Sequence, residues 1–487
     1  MMSIESSGST TNPGAHSAWW TPRLAGPVIA AAVVRLTLLA LIMAHSGISD
    51  LFQGDTISYL EPGRNLLLHG RFFADGAPDL VRTPGYPLFL AITSLAGFPA
   101  AAVANVMLSI FSVILVWKLG RVVFGDNRIA LGAAWIFAFE PISIANSSGL
   151  ISDTLFLALL LLCMERIAAF LRGHRLPVLA AAGLWLTAAT FVRPITYFLP
   201  FALAPGLFLA LVRVPGLRWK APAVLLISVL PWMAAWQIRN SVETGYHGFS
   251  SISEISLYFQ VASGVTARVE HRPYVDVRKD LGYFDFTNNS GQFYLYPPYL
   301  AQHPEQAGWN QGQRLAFMHS EGVRIIRSHF GIYLNTSFTS LLRTVFISDY
   351  QYFNDILFPG NSNQVTSVAN LDQRRWTVLP SKKSPHAAVE RAAFGVVLLG
   401  LYLFATRAIF LAVKGVFRLR MNTACLWLLL GTSLYFLAVT AVGEEPGGIP
   451  RYRLPVMPVI CILAAAGFRR AKTVGDSKFT DRAAANP

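Results

Sequence analysis

Long apolar runs, each about as long as a bilayer is thick and separated by short arginine-bearing stretches, constrain this chain more than anything else in it. A hydrocarbon core of about 30 Å takes roughly 20 residues of helix. Ten such runs read near 25–46, 100–120, 129–146, 150–170, 176–192, 195–212, 222–238, 388–410, 423–442 and 454–468. Hydrophobic residues make up 53% of the chain and charged residues 14%, against roughly 25% charged in an ordinary soluble protein. That balance excludes a soluble enzyme and a disordered or fibrous chain. The expected fold class is an all-α polytopic membrane protein of about ten transmembrane helices, with amphipathic helices on its outer face and one large outer loop.

The net charge of +14 is mostly a matter of topology. Alternating the direction of the spans puts Arg121 and Arg128, then Arg166, Arg172 and Arg175, then Arg213, Arg218 and Lys220 on one side. Arg407, Lys414, Arg418 and Arg420, and finally Arg469, Arg470 and Lys472, fall on the same side. By the positive-inside rule that side is the cytoplasm, so both termini lie inside and no nucleic-acid partner is needed to explain the charge. Three segments then lie outside: 47–99, 239–387 and 443–453. The chain divides into an N-terminal membrane module (1–238) that carries the first outer loop (47–99), a large outer region (239–387), and C-terminal spans with a tail (388–487). The first span lacks a small-residue cleavage site followed by a soluble domain and reads as retained rather than as a signal peptide. Cys163, Cys425 and Cys461 all fall in spans, which leaves the outer loop without a disulfide framework. No repeat relates the two halves.

The polar chemistry gathers in the outer segments. In GISDLFQGDTISYLEPGRNLLLHGRFF, residues Asp50, Asp55 and Glu61 follow the first span. Tyr59, Leu60, Leu66 and Leu67 mark a short amphipathic helix that Gly70 ends, with Asp55 at its N-terminal end as a cap or a functional carboxylate. In DLVRTPGYPLFLAITSLAG, Arg82 leads into a Pro84–Gly85–Tyr86–Pro87 break and an apolar stretch too short to span, which should dip into the leaflet and return. Arg82 reads as a headgroup anchor or a ligand. FAFEPISIANSSGLISDTLF places Glu140 and Asp153 at or near membrane depth, where an acid is costly unless paired or facing a wet cavity. Asp153 is otherwise a cap for its span, a part Ser152 can also fill. Arg193–Pro194 occupies a tight outer turn, and Arg451, Tyr452 and Arg453 stand on a short outer loop against the positive-inside trend. A guanidinium fork matches phosphate, which gives these arginines a reason.

The long outer loop opens with LPWMAAWQIRNSVETGY, continues through the aromatic stretch FDFTNNSGQFYLYPPY, and includes RLAFMHSEGVRIIRSHFGIYLNTSFTSLLRTVF with Arg324, Arg327 and Arg343. Its helical apolar spacing reads as amphipathic helices lying on the membrane. Its aromatic residues read as interfacial packing or as a sugar-stacking surface.

Taken in order, these motifs resemble the GT-C membrane glycosyltransferases, and more narrowly the branch of protein O-mannosyltransferases and lipid A aminoarabinose transferases. The features that carry the resemblance are an outer-loop Asp after the first span, a Tyr four residues on, a basic residue before Pro-Gly-Tyr-Pro-Leu, an acid after the third span, an Arg-Pro turn, the PW…RN stretch and a late RYRLP. They cover roughly residues 30–470. The resemblance implies a GT-C fold and a sugar donor carried on polyprenyl phosphate. It places the work on the outer, periplasmic face of a bacterial inner membrane or its equivalent. It implies Asp55 as catalytic acid residue of the first loop and Asp153 as second acid. Arg82, Arg193, Arg451 and Arg453 become donor-phosphate ligands, and Tyr59, Tyr86, Glu140 and Tyr452 line the substrate pocket. Many relatives carry two adjacent acids in the first loop, whereas Gly54 and Thr56 flank Asp55. No cofactor is therefore certain, and a divalent metal stays open.

The residue types suit that chemistry independently. Transfer from a lipid phosphate needs an anion near the acceptor hydroxyl and cations on the departing phosphate. Asp55 is the expected base, with Asp153 orienting it or the acceptor, and if the two carboxyls approach, one pKa should rise. A glycan ligase or polymerase using polyprenyl-linked substrates is the alternative, with a lipid or solute transporter behind it. Transporters show internal repeats and mid-bilayer sites. The early Asp55 favours the monosaccharide transferase. The acceptor, whether glycolipid, polysaccharide or protein, stays open, as do the sugar and the oligomeric state.

Overall fold

A computed structural model describes residues 20–283, 303–347, 385–415, 422–443 and 449–468. Arg418, Arg420, Arg469, Arg470, Lys472 and the aromatic stretch 284–299 lie outside the described residues. Six helices among the described residues are long and apolar enough to cross a membrane: Pro22–His45, Phe98–Phe124, Asp153–Gly173, Lys220–Thr244, Ala392–Val413 and Thr423–Gly443. Shorter apolar helices at Leu176–Val192, Pro194–Ala210 and Met457–Phe468 match three more of the expected runs. The chain is an integral membrane protein built of helices. Its one sheet among the described residues is the two-residue ribbon Phe73–Ala74 with Ala77–Pro78.

The run at 129–146 departs from the expectation of one continuous span. It forms α5 (Asn127–Ala138) and a short α6 (Pro141–Ala145), broken at Phe139 and Glu140. The cause is Pro141, which lacks an amide hydrogen and pushes the preceding residue out of the helical region. Glu140 is extended (φ −69, ψ 119), and its carboxylate accepts the amides of Ile142 and Ser143 at 3.1 and 2.6 Å. Fully buried Arg35 of α1 (Ala25–Ser46) closes the break from the other side. It donates to Ser109 Oγ at 2.7 Å, to the Ala138 carbonyl at 2.8 Å and to Ser143 Oγ at 2.9 Å. The irregular chain after α6 is held in the same manner. The Leu150 amide donates to the Leu51 carbonyl at 2.9 Å, Thr56 Oγ1 to the Leu150 carbonyl at 2.9 Å, and Asn105 Nδ2 to the Gly149 carbonyl at 2.7 Å. Non-helical backbone beside a bilayer persists only where protein satisfies its polar groups in this way.

Two close approaches seat the segment after the first span on the bundle. Helix α2 (Ile57–His69) ends at Gly70 in the left-handed region (φ 66), whose amide donates to the Leu66 carbonyl. A short α3 (Gly85–Thr93) follows, and the chain turns at Gly97 into α4 (Phe98–Phe124). A Cβ on Gly63 of α2 would strike the Pro87 carbonyl of α3, and a Cβ on Gly85 would stand 2.6 Å from the carbonyl oxygen of Phe191 in α8 (Leu176–Val192). Backbone cannot yield as a flexible side chain does, so overpacking should cost about 1–3 kcal/mol. Gly85→Ala is therefore expected to lower the thermal unfolding temperature of the purified protein, and a surface control such as Gly206→Ala, with open space around its Cβ, is expected to leave it nearly unchanged.

At the opposite end, Lys118 of α4 pairs with Glu165 of α7 (Asp153–Gly173) at 3.2 Å, both buried. Arg172 donates to the carbonyls of Val122 and Val123, where α4 ends. These pairs join α4 and α7 away from the site described next.

Candidate active site

Five of the ten residues expected at the site form one charged cluster. Asp55, just before α2, accepts from Arg82 Nη2 on Oδ1 at 2.9 Å and from Arg451 Nη2 on Oδ2 at 3.2 Å. Asp153, in the first turn of α7, pairs with Arg193 and has Arg451 Nε at 3.9 Å from its Oδ1. Arg451 thus stands between the two acids. Its Nε is buried and makes no hydrogen bond, so part of the fork is unsatisfied where the acids meet. Three guanidiniums face two carboxylates, leaving one positive charge in excess.

Each side chain arrives by a local rule. Neither acid caps a helix with its side chain: Thr56 and Ser152 occupy the cap positions, without side-chain caps of their own. Both carboxylates are therefore free to pair with arginines, which settles the cap alternative raised by the sequence. Arg193 precedes Pro194 and is extended (φ −141, ψ 118), the conformation that a following proline favours, and this breaks the chain between α8 and the next helix. Arg82 is set by Asp79, whose Oδ1 accepts the amides of Val81 and Arg82 at 2.7 and 3.0 Å in a side-chain turn. The backbone on either side is clamped from α10 (Lys220–Thr244) and the long loop beyond it. Arg239 donates to the carbonyls of Asp79 and Phe72 at 3.1 and 2.6 Å, and Ser250 Oγ donates to the Val81 carbonyl at 2.8 Å.

Tyrosines form the floor. The Arg82 guanidinium lies 4.6 Å from the centre of the Tyr59 ring, and Arg82 Nε donates to Ser58 Oγ at 2.8 Å. Tyr59 packs edge-on against Tyr86 at 4.9 Å, and Tyr86 Oη accepts from Asn105 at 3.2 Å. Tyr86 is fully buried, so it supports Tyr59 from behind. The Tyr452 ring lies between two cations, with the guanidinium carbons of Arg193 and Arg451 at 5.9 and 5.7 Å from its centre.

Two expected site residues are placed elsewhere. Arg453 turns away from Arg451 and donates through Nη1 to the carbonyls of Thr344, Val345 and Ile347 at 2.8, 3.2 and 2.5 Å. Arg451 and Arg453, two residues apart in the 3-10 turn Pro450–Arg453, point in different directions, so only one of the two arginines reaches the acids. Glu140 caps α6 and faces Arg453 and Arg35. The sequence reading also passed over Arg35, Asp79, Asn105 and Arg239 as supports. An Arg inside an apolar span was the available signal for Arg35, and an Asp two and three residues before the amides it accepts was the signal for Asp79.

The arginines dominate the electrostatics of Asp55. Burial pushes the Asp55 carboxyl up, but Arg82 and Arg451 outweigh it and hold it well below the usual carboxylate range. Burial pushes the Asp79 carboxyl up against the two amide hydrogen bonds. The two catalytic candidates also differ in access: the Asp55 side chain is 36% exposed and that of Asp153 5%. Asp55 is the acid a substrate can reach. Because its folded pKa is depressed, its ion pairs stabilise the protein fully above the unfolded aspartate value of about 3.9, and that stability is lost as pH falls through the lower folded value. In thermal unfolding across pH, the difference between the native chain and Asp55→Asn is expected to stay constant from pH 8 to about 5 and to shrink in more acid buffer.

Each Asp55 oxygen is taken by an arginine, and among the described residues no three His, Cys, Asp or Glu side chains gather at one point. Fold and site together define an integral membrane protein with a two-acid, three-arginine site at one end of a helical bundle.

No protein-family model matches the sequence, and no curated protein matches it significantly. The structure is similar to that of the Archaeoglobus fulgidus oligosaccharyltransferase in its apo form, at 13% identity over 98% of this chain and 52% of that one, with a TM-score of 0.49. It is also similar to the archaeal oligosaccharyltransferase AglB from Archaeoglobus fulgidus in complex with an inhibitory peptide and a dolichol-phosphate (13% identity, 94% of this chain, 51% of that one, TM-score 0.47). A third likeness is to ArnT from Cupriavidus metallidurans in the apo state (13%, 84% and 71%, TM-score 0.31). The chain spans about half the length of the two archaeal chains. At this identity and with TM-scores under 0.5, the likeness assigns no activity.

Proposed function

We propose that this protein is a GT-C glycosyltransferase that moves a sugar from a polyprenyl-phosphate donor to an acceptor on the outer face of the membrane, in a bacterium the periplasmic face of the inner membrane, with both termini cytoplasmic. The observation that carries the reading is Arg451, which bridges Asp55 and Asp153 with a buried donor left unsatisfied. A phosphate monoanion supplies the acceptor atoms and the negative charge that this fork lacks.

In the reaction the acceptor hydroxyl oxygen bonds to the anomeric carbon while the bond from that carbon to the phosphate oxygen breaks. The hydroxyl proton passes to Asp55, and polyprenyl phosphate leaves with the bonding electrons. Arg82, Arg193 and Arg451 take up the charge that develops on the phosphate, a stabilisation that strengthens in a site from which water is excluded. Single displacement inverts the anomeric carbon. Asp55 is a weak base while two arginines hold it, and donor phosphate competes for those same arginines. Arrival of the donor therefore loosens Asp55 and raises its basicity where the acceptor binds. Asp153 keeps Arg193 and Arg451 oriented, and Tyr59 and Tyr452 offer ring faces beside the phosphate and sugar.

Polyprenyl phosphate, the product common to every such donor, tests this reading without knowledge of the sugar. It is expected to raise the unfolding temperature of the purified protein in detergent, and the corresponding alcohol without phosphate is not. Equal effects of the two lipids, or no effect of either, would contradict the assignment of the arginines to the donor.

A further inference from the structure

We infer that α15 (Phe330–Phe346), in the long loop, sinks obliquely into the leaflet on the site's side of the membrane and presents one face to lipid acyl chains, rather than lying in water or flat on the surface. The first ground is that its pattern is inside out. Phe330, Leu334, Phe338, Leu342 and Phe346 recur every four residues along one stripe and are all exposed, Phe338 by 60%. The side toward the protein carries Thr336, Ser340 and Thr344, exposed by 5%, 1% and 1%, together with Tyr333. A helix solvated by water buries its large apolar residues, whereas one solvated by hydrocarbon can turn them outward and pack small residues inward.

The preceding helix in the same loop, α14 (Gln311–Ser328), shows the opposite arrangement. It buries Leu315 and Met318 and exposes His319, Ser320, Arg324, Arg327 and Ser328. The solvent therefore changes at His329, between the two helices.

The second ground is depth. The last turn of α15 is fixed to α16 (Pro385–Val413): Tyr402 Oη donates to the Val345 carbonyl at 2.7 Å, and the Phe346 and Tyr402 rings meet edge-on at 5.9 Å. Tyr402 lies ten residues inside the apolar stretch Ala392–Val413, about 15 Å of helix. Its side chain leans toward the helix N-terminus, so the Val345 turn stands beside the apolar stretch of a candidate span rather than beyond its end. Arg453 fixes the same turn from the other side through its three carbonyl bonds. The N-terminal half packs instead on the loop, where Tyr333 meets Val261 and Val265. One end is thus set by a membrane span and the other by the extramembrane region. The single charge of α15, Arg343, stands on an exposed flank, and its long stem can carry the guanidinium to lipid phosphates.

The test uses nitroxide labels on single cysteines at Phe330, Leu334, Phe338 and Leu342, with Arg324→Cys on α14 as control, in proteoliposomes of the full chain. The three native cysteines are buried and are replaced by alanine in the background. Collision of each label with oxygen, which concentrates in hydrocarbon, is compared with collision with a water-soluble nickel chelate. The expected result is an oxygen-to-nickel ratio severalfold above the Arg324 control at Phe338 and Leu342, falling toward Phe330. Ratios equal to the control would place the stripe in water, a uniform ratio along it would place the helix flat on the surface, and labels immobilised and shielded from both reagents would show a protein partner on the stripe. Each of these three results overturns the inference.

Discussion

Asp55→Asn is expected to lose about 10²–10⁴-fold in turnover, the range that a positioned proton acceptor contributes. The substitution keeps the shape of the side chain and leaves one oxygen to accept from Arg82 or Arg451. It removes the charge that takes the acceptor proton. Asp55 is the more accessible of the two acids, and its two oxygens meet Arg82 and Arg451. The donor contacts proposed for Arg82, Arg193 and Arg451 remain, so the loss should fall on kcat with the donor KM little changed, measured as transferred label under saturating donor. A variant that folds, binds polyprenyl phosphate and does not turn over is the expected outcome. Asp153→Asn should behave differently, because Asp153 is buried against Arg193 and its removal disturbs the arginines rather than the proton.

Arg451→Ala is the second large effect, expected to lower kcat by about 10²–10³-fold, as loss of one donor to a developing oxyanion does. Here the donor KM should rise as well, since the same fork holds the phosphate before and during departure. The substitution also leaves Asp55 with one cation instead of two. Its carboxyl should then titrate closer to the ordinary aspartate value of about 3.9, adding below about pH 5 an acid limb to the pH dependence of residual activity. Arg451→Lys separates charge from geometry. An ammonium keeps the charge and loses the planar fork, so partial recovery of KM with little recovery of kcat is expected.

Much of this arrangement was legible in the residues because the bilayer is a strict solvent. Runs such as Phe98–Phe124 and Thr423–Gly443 have no other comfortable environment, and polar residues beside them stand out. Asp55, Arg82, Asp153, Arg193 and Arg451 were visible for that reason: each sits next to a break in an apolar pattern, at a Gly, a Pro or a span end. What could not be read was direction. Arg451 and Arg453 are two residues apart and equally exposed to inspection in the sequence, yet the turn Pro450–Arg453 sends one to Asp55 and the other to the end of α15. Glu140 looked like a site acid and proves to hold the start of α6, a role that Pro141 signalled through the break it forces. The pKa of Asp55 depended on how many cations meet it, which spacing along the chain does not give. Periodicity marks the apolar face of α15 without saying which solvent that face meets.

The central claim is tested most directly by incubating the purified chain in proteoliposomes with radiolabelled polyprenyl-phosphate sugars and a membrane lipid extract as acceptor, and following release of polyprenyl phosphate for the native protein and Asp55→Asn side by side. The account predicts release by the native chain with at least one donor, sugar label in an acceptor fraction, and loss of both in Asp55→Asn while polyprenyl phosphate still stabilises that variant. Release that persists at the native rate without the Asp55 carboxylate, or a native chain that releases nothing from any donor, would contradict it.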